Sequence, residues 1–239
     1  MNTIKVSNGT VKMVAHRGLS GLERENTNAA FIAAGNRSYF GIETDIHRTT
    51  DGKFAVIHDD TPLRVSGDDV VVEDCSSAQL AQILLYDKQG TKLRQDLKIP
   101  LLEEYIAICQ SYDKIAVLEF KTDFTTPEID AIVAIIQGMG YLESTVFISF
   151  HLSALIKLRE QYPQAKAQYL IDHFPDDLPD TLLRYQLDLD IHYKAIDEAK
   201  IKMLHAKGLT VNCWTVDDPD TARQLLDWGV DYLTTNILE

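Results

Sequence analysis

The chain has 239 residues, 45% hydrophobic and 25% charged, the proportions of a globular protein with one substantial core. A formal charge of −13 argues against nucleic acid and anionic membrane surfaces, both of which reward basic patches, so an anionic ligand needs a locally positive pocket. The start MNTIKVSNGTVKM lacks the apolar stretch of a secretion signal, no apolar run approaches the roughly 18 residues of a membrane span, and Cys75, Cys109 and Cys213 show no metal or redox spacing. These features read as a cytoplasmic protein without stable membrane association. They leave its oligomeric state open.

Val11 to Ala15 reads as a short apolar strand that ends at His16-Arg17-Gly18, and Glu25-Asn26-Thr27 opens a helical run through Ala29, Ala30, Phe31 and Ala34. The next strand begins near Phe40. Within it Glu43 and Asp45 project from one face, roughly 6.6 Å apart, because successive residues alternate faces and each rises about 3.3 Å. Only Thr49 to Lys53 separate this strand from the apolar run Phe54 to Ile57. A parallel return needs about a dozen residues, so the connection is an antiparallel hairpin turning at Asp51-Gly52. The hairpin returns His58 beside Glu43 and Asp45. An imidazole then stands next to an all-oxygen cation site, the combination that a metal-assisted reaction at phosphorus needs.

From Thr61 to Lys98 the pattern is polar and broken, with a turn at Ser66-Gly67-Asp68, one short helix expected from Ser76 to Leu85, and a loop around Lys88-Gln89-Gly90. This segment reads as a small insertion, 61–98, at the mouth of a single domain spanning 1–239. Strand–helix alternation then resumes. Helices are expected at Leu101 to Cys109, Pro127 to Met139, Leu152 to Gln161, Leu178 to Tyr185, Ile196 to Ala206 and Pro219 to Trp228. Strands are expected at Ile115 to Lys121, Thr145 to Phe150, Ala167 to Ile171, Leu187 to His192, Thr210 to Val216 and Val230 to Thr235. Pro127 and Pro219 fall at helix starts, and Gly208 and Gly229 just past helix ends. Nearly continuous apolar strands such as IAVLEF and TVFISF fit a sheet covered on both faces. Eight strands alternating with helices predict a (β/α)₈ TIM barrel, distorted by the hairpin after strand two and the insertion, with no closing helix after strand eight.

Barrel active sites lie at the C-terminal ends of the strands. Here those ends carry His16 and Arg17, Glu43 and Asp45, Glu119 and Lys121, and Trp214. Glu119 and Lys121 share the interior face, where an ion pair kept for structure alone is expensive. A catalytic reading places the carboxylate with Glu43 and Asp45 on a metal, and the ammonium on an anionic substrate oxygen. His47 shares the face of Asp45 and reads as a neighbour of the site or an exposed residue. His151 reads as a cap or rim residue, and His173, His192 and His205 as structural or solvent-facing.

In this order and spacing, His16-Arg17-Gly18, Glu25-Asn26-Thr27, Glu43-x-Asp45, Thr50 to Gly52, Val56 to Asp59, Ile99 to Glu104, Leu118 to Lys121, Trp214 to Val216 and Gly229 to Asp231 resemble the glycerophosphodiester phosphodiesterases. The resemblance covers essentially the whole chain. It implies His16 and His58 as the acid/base pair, Glu43, Asp45 and Glu119 as ligands of Ca²⁺ or Mg²⁺, and Arg17 and Lys121 as phosphate contacts. Trp214 is a candidate contact on the glycerol side of the substrate. The departures are Arg24 in place of a common proline, a segment after Thr61 that keeps little of the family's Leu-x-Arg-Thr-Thr pattern, and Asn236 where many members have Asp.

The function implied is metal-dependent hydrolysis of glycerophosphodiesters, such as glycerophosphocholine or glycerophosphoethanolamine, to glycerol 3-phosphate and an alcohol. The metal, Arg17 and Lys121 neutralise the phosphodiester while one histidine takes a proton and the other gives one. The nucleophile is either the neighbouring glycerol hydroxyl, through a cyclic phosphate, or water. Two alternatives stand beside this reading: a lysophospholipase D-like enzyme acting on lipid-bearing diesters, and a non-catalytic binder of phosphorylated ligands.

Overall fold

A computed structural model describes residues 2–239. The sheet is built by β1 (Lys12–Ala15), β2 (Gly41–Arg48), β3 (Phe54–Val56), β4 (Ile115–Phe120), β5 (Thr145–Ser149), β6 (Lys166–Ile171), β7 (Asp188–His192), β8 (Val211–Trp214) and β9 (Tyr232–Thr235). Its order is β1-β9-β8-β7-β6-β5-β4-β2-β3, and an additional β1–β2 pairing closes the ring. Eight parallel strands therefore form a closed barrel. The ninth, β3, pairs antiparallel with β2, matching Ile46 with Val56 and Arg48 with Phe54, as the hairpin predicts. Gly52 takes the turn at φ +73.

Helices α1 (Asn28–Gly35), α4 (Leu102–Ser111), α5 (Thr126–Gly138), α6 (Leu152–Gln161), α7 (Leu178–Tyr185), α8 (Glu198–Ala206) and α9 (Pro219–Trp228) fill the connections, while the short α2 (Leu63–Ser66) and α3 (Ser77–Leu80) lie between β3 and α4. Local chemistry sets the ends. Asp218 accepts from the Thr221 N–H at the start of α9, and Gly229 closes it in the left-handed region. Residues 236–239 follow β9 without a helix.

The main core packs helices against the outside of the barrel, with Phe31, Tyr105, Phe120, Phe147 and Leu158 among its members. A second cluster, Val14, Val117, Val146, Ile148 and Leu170, fills the barrel interior. Above it the inward positions turn polar.

The expected helix from Ser76 to Leu85 is a single turn, α3. Ser76 caps it through the Gln79 N–H, and the chain then leaves the helix because Leu85 N–H donates to Leu97 O. Leu80, Leu85 and Leu97 serve a small third core with Ala55, Ile57, Val65 and Val72. The apolar spacing there reflects that cluster, not a helix face.

Candidate active site

β2 is buried along GIETDIH although it carries two acids, an unusual load for a fully covered strand. Register explains where the charges meet. Asp45 pairs directly with Glu119 across β2 and β4, so Glu43, Asp45 and Glu119 present oxygens within 4.8 Å of one another. Two cations face the trio. Lys121 Nζ lies 2.8 Å from Glu119 and 3.6 Å from Asp45, and Arg17 Nε lies 3.4 Å from Asp45.

Arg17 sits in the left-handed region at φ +53, which turns its backbone N–H onto Glu43 Oε2 at 2.8 Å. The next residue must be glycine: Gly18 has φ +75, and a Cβ there would meet the Ala30 carbonyl carbon at 2.7 Å. Asn26 completes the frame, donating to Asp45 Oδ2 at 2.7 Å and accepting from Thr44 Oγ1 at 2.8 Å.

Burial and the neighbouring carboxylates Asp45 and Glu119 push the Glu43 carboxyl well above its ordinary range. Burial and Asp45 likewise raise Glu119, against the pull of Lys121. For Asp45 burial is outweighed by Arg17, Lys121, His58 and Asn26, which hold it low. Asp45 Oδ1 is buried with no hydrogen-bond partner among the described residues. Three close carboxylates, one with an orphaned oxygen, and only two cations fit a divalent cation: the donor set is all oxygen and its negative charge is incompletely neutralised.

His16 and His58 join this cluster in one cleft of about 420 Å³, together with Arg17, Glu43, Glu119 and Trp214. The imidazoles differ in what backs them. His16 Nδ1 lies 2.8 Å from Asn236 Oδ1, and Asn236 Nδ2 donates to Asp217 Oδ2 at 2.6 Å. A carboxylate only accepts, so Asp217 fixes the amide orientation and makes His16 Nδ1 the donor. His16 Nε2 is then the free lone pair, 4.0 Å from Glu43 Oε2. Burial, and next Arg17, lower the His16 pKa to about 4, so the ring is neutral near pH 7.

His58 Nδ1 instead donates to the Asp59 carboxylate at 2.6 Å, and Asp59 Oδ2 accepts from Arg64 Nε at 2.7 Å. Burial lowers the His58 pKa; Asp45 and Asp59 oppose that shift. Arg64, on α2, also clamps both Glu25 oxygens at 2.8 Å, and Glu25 holds Arg17 at 2.8 Å. An ion-pair chain thus runs from His58 through Asp59, Arg64 and Glu25 to Arg17.

All the expected site residues, His16, Arg17, Glu43, Asp45, His58, Glu119, Lys121 and Trp214, lie at this mouth or in direct contact with it. His47 is buried, 1% exposed, and donates from Nε2 to the His58 carbonyl at 3.2 Å, which settles it as a neighbour of the site. His151 sits at the N-cap of α6. Glu25, Asn26, Asp59, Arg64, Asp190 and Asp217 have no role that the sequence alone assigns. Glu25, Asn26 and Asp59 lay inside quoted motifs; Asp190 had its signal in DLDIH, whose alternate residues are polar.

Fold and mouth together define a (β/α)₈ barrel whose C-terminal strand ends bring two histidines, two cationic side chains and a buried acidic trio able to hold a metal ion to one cleft. The model of the Glycerophosphoryl diester phosphodiesterase family matches residues 16–239. Glycerophosphodiester phosphodiesterases of Bacillus altitudinis and Bacillus subtilis are 28% and 26% identical, covering 94% and 93% of this chain and 94% and 82% of their own. A phosphodiesterase of Oleispira antarctica, solved in complex with the product sn-glycerol-3-phosphate, superposes with a TM-score of 0.86 at 25% identity, covering 97% of this chain and 95% of that one. The chain belongs to the glycerophosphoryl diester phosphodiesterase family.

Proposed function

We propose that this chain is a phosphodiesterase that uses a divalent cation, Ca²⁺ or Mg²⁺, to hydrolyse glycerophosphodiesters of the glycerophosphocholine and glycerophosphoethanolamine kind to sn-glycerol 3-phosphate and an alcohol. One observation carries the reading: two differently backed imidazoles share a cleft with the Glu43, Asp45 and Glu119 cluster. The family membership supports it.

Glu43, Asp45 and Glu119 would hold the cation, which when bound supplies charge neutralisation at the phosphate. Arg17 and Lys121 bind the remaining phosphate oxygens and stabilise the charge that gathers there as the nucleophile attacks. His16 is the general base. Its Nε2 lone pair takes the proton of the attacking hydroxyl as the new P–O bond forms; where that hydroxyl is the substrate's own, the resulting cyclic phosphate is then opened by water to glycerol 3-phosphate. His58 is the general acid. Asp59 favours its imidazolium, which delivers a proton to the departing alkoxide as the old P–O bond breaks. Trp214 packs on the glycerol side. The whole chain, 1–239, works as one unit, with 61–98 an insertion whose Arg64 braces His58 and Arg17. Three free cysteines support a reducing compartment such as the cytoplasm. No described helix is long and apolar enough to cross a membrane.

The test is glycerol 3-phosphate release from both diesters, with and without chelator, for the wild type and His16→Ala. Turnover that chelation stops, that added Ca²⁺ or Mg²⁺ restores, and that His16→Ala lowers by roughly 10² to 10⁴ supports the reading. No release from folded, cation-supplemented protein refutes it.

A further inference from the structure

The strand order puts β7 halfway around the barrel from β2, so the wall facing the carboxylate cluster is built by Ile148, Leu170, Asp190 and Trp214. This wall is apolar except at two points. Asp190 is 2% exposed, and its Oδ1 has no hydrogen-bond partner among the described residues. Trp214 Nε1 is a buried donor, equally without a partner.

A buried acid kept for stability alone is normally paired, because an unsatisfied one costs free energy. No cation among the described residues pairs with Asp190. Burial pushes its pKa up to about 8, against hydrogen bonding from Asn212, so at neutral pH the carboxyl keeps its proton. It then offers one donor and one acceptor. Asn212 is itself engaged, accepting from Thr234 Oγ1 at 3.1 Å.

The ligand group that satisfies this wall must accept from an indole N–H and exchange hydrogen bonds with a neutral carboxyl. A hydroxyl does both. A quaternary ammonium does neither, and a primary ammonium only donates, leaving the indole unpaired. With the phosphate held by Arg17 and Lys121, the substrate part that reaches across the barrel is the end of the glycerol unit. We propose that Asp190 is a specificity-determining residue that, with Trp214 Nε1, hydrogen-bonds the glycerol hydroxyl farthest from phosphorus. This inference rests on the function proposed above.

The test pairs a substrate deletion with a residue deletion. Glycerophosphocholine is compared with the propane-1,2-diol analogue, which lacks only the terminal hydroxyl, in wild type, Asp190→Leu and Asp190→Asn. The wild type should prefer the glycerol substrate by about ten-fold in kcat/KM, mostly through KM, and Asp190→Leu should lose that preference. Asp190→Asn, which keeps a donor and an acceptor, should stay within about three-fold of wild type. Each ratio is taken within one protein, so partial misfolding does not mimic the result.

The proposal is overturned by a preference that Asp190→Leu leaves intact, by a wild type indifferent to the hydroxyl, or by parallel loss on both substrates in both variants. It is also overturned if Asp190→Leu alters only the choice between choline and ethanolamine diesters, which would assign the wall to the leaving alcohol. A wild type that hydrolyses neither substrate refutes the phosphodiesterase reading itself.

Discussion

Binding of Ca²⁺ or Mg²⁺ should expel protons from the protein. Without the cation, burial and the fixed charge of Asp45 raise both Glu43 and Glu119, Glu119 to about 8, which favours the protonated form of each. Asp45 is already ionised. A cation site needs all three as carboxylates, so occupying it near pH 7 should release about one to two protons. The sign follows directly: below the raised pKa values each rise of one pH unit should tighten the apparent affinity about ten-fold per proton released, or ~1.4 kcal/mol. Titration calorimetry between pH 6.5 and 8.5, in two buffers of different ionisation heat, measures the release. Glu119→Gln, which fixes one of the two groups in its neutral shape, should lower the release by about one proton and weaken binding. Heats independent of the buffer, with an affinity flat across this range, would refute the assignment of these carboxyls as a trio, two of them protonated, that opens for a cation.

Further predictions follow from the backing of each imidazole and from the buried acid across the barrel. Asp59→Asn removes the carboxylate that favours the His58 imidazolium; at saturating cation, kcat should fall about ten- to a hundred-fold and the alkaline limb of the pH profile should move to lower pH. An unmoved limb would separate His58 from the acid role. Asn236→Asp puts a carboxylate on His16 Nδ1 and should raise its pKa from about 4, so the acid limb of kcat/KM should shift upward, and an unchanged limb would count against His16 as the base. Asp190→Asn should change how stability depends on pH. Burial raises the wild-type carboxyl to about 8 in the folded chain against an ordinary 3.8, so its stabilising effect is complete below about pH 4 and is lost as pH rises through 8. The amide has no such loss, and the variant should gain on the wild type by on the order of 5 kcal/mol between pH 4 and 9; parallel denaturation midpoints over that range would contradict the burial argument.

The barrel was legible because its signals are local. Alternation in GIETDIHR, a five-residue gap before Phe54, prolines at helix starts and glycines past helix ends each constrain a few neighbouring residues, and together they allow little but eight strands and a hairpin. The candidate site was legible for a related reason: acids in a strand with both faces covered conflict with burial, and that conflict points to function. What escaped were residues whose meaning depends on partners far away in the chain. Arg64 lies in a segment set aside as weakly patterned, yet it binds Asp59 and Glu25, the latter 39 positions earlier. Leu80, Leu85 and Leu97 suggested a longer helix because spacing alone cannot say whether apolar residues line one helix or converge from separate turns. Asn236 stood out only as a departure from the family's usual Asp. Its consequence needed Asp217, since only a pure acceptor on the other side fixes the amide and, through it, the protonated nitrogen of His16. The two imidazoles are thus equivalent as sequence and unequal as chemistry: an amide fixes the proton of one on Nδ1 while burial keeps that ring neutral, and a carboxylate favours the charge on the other.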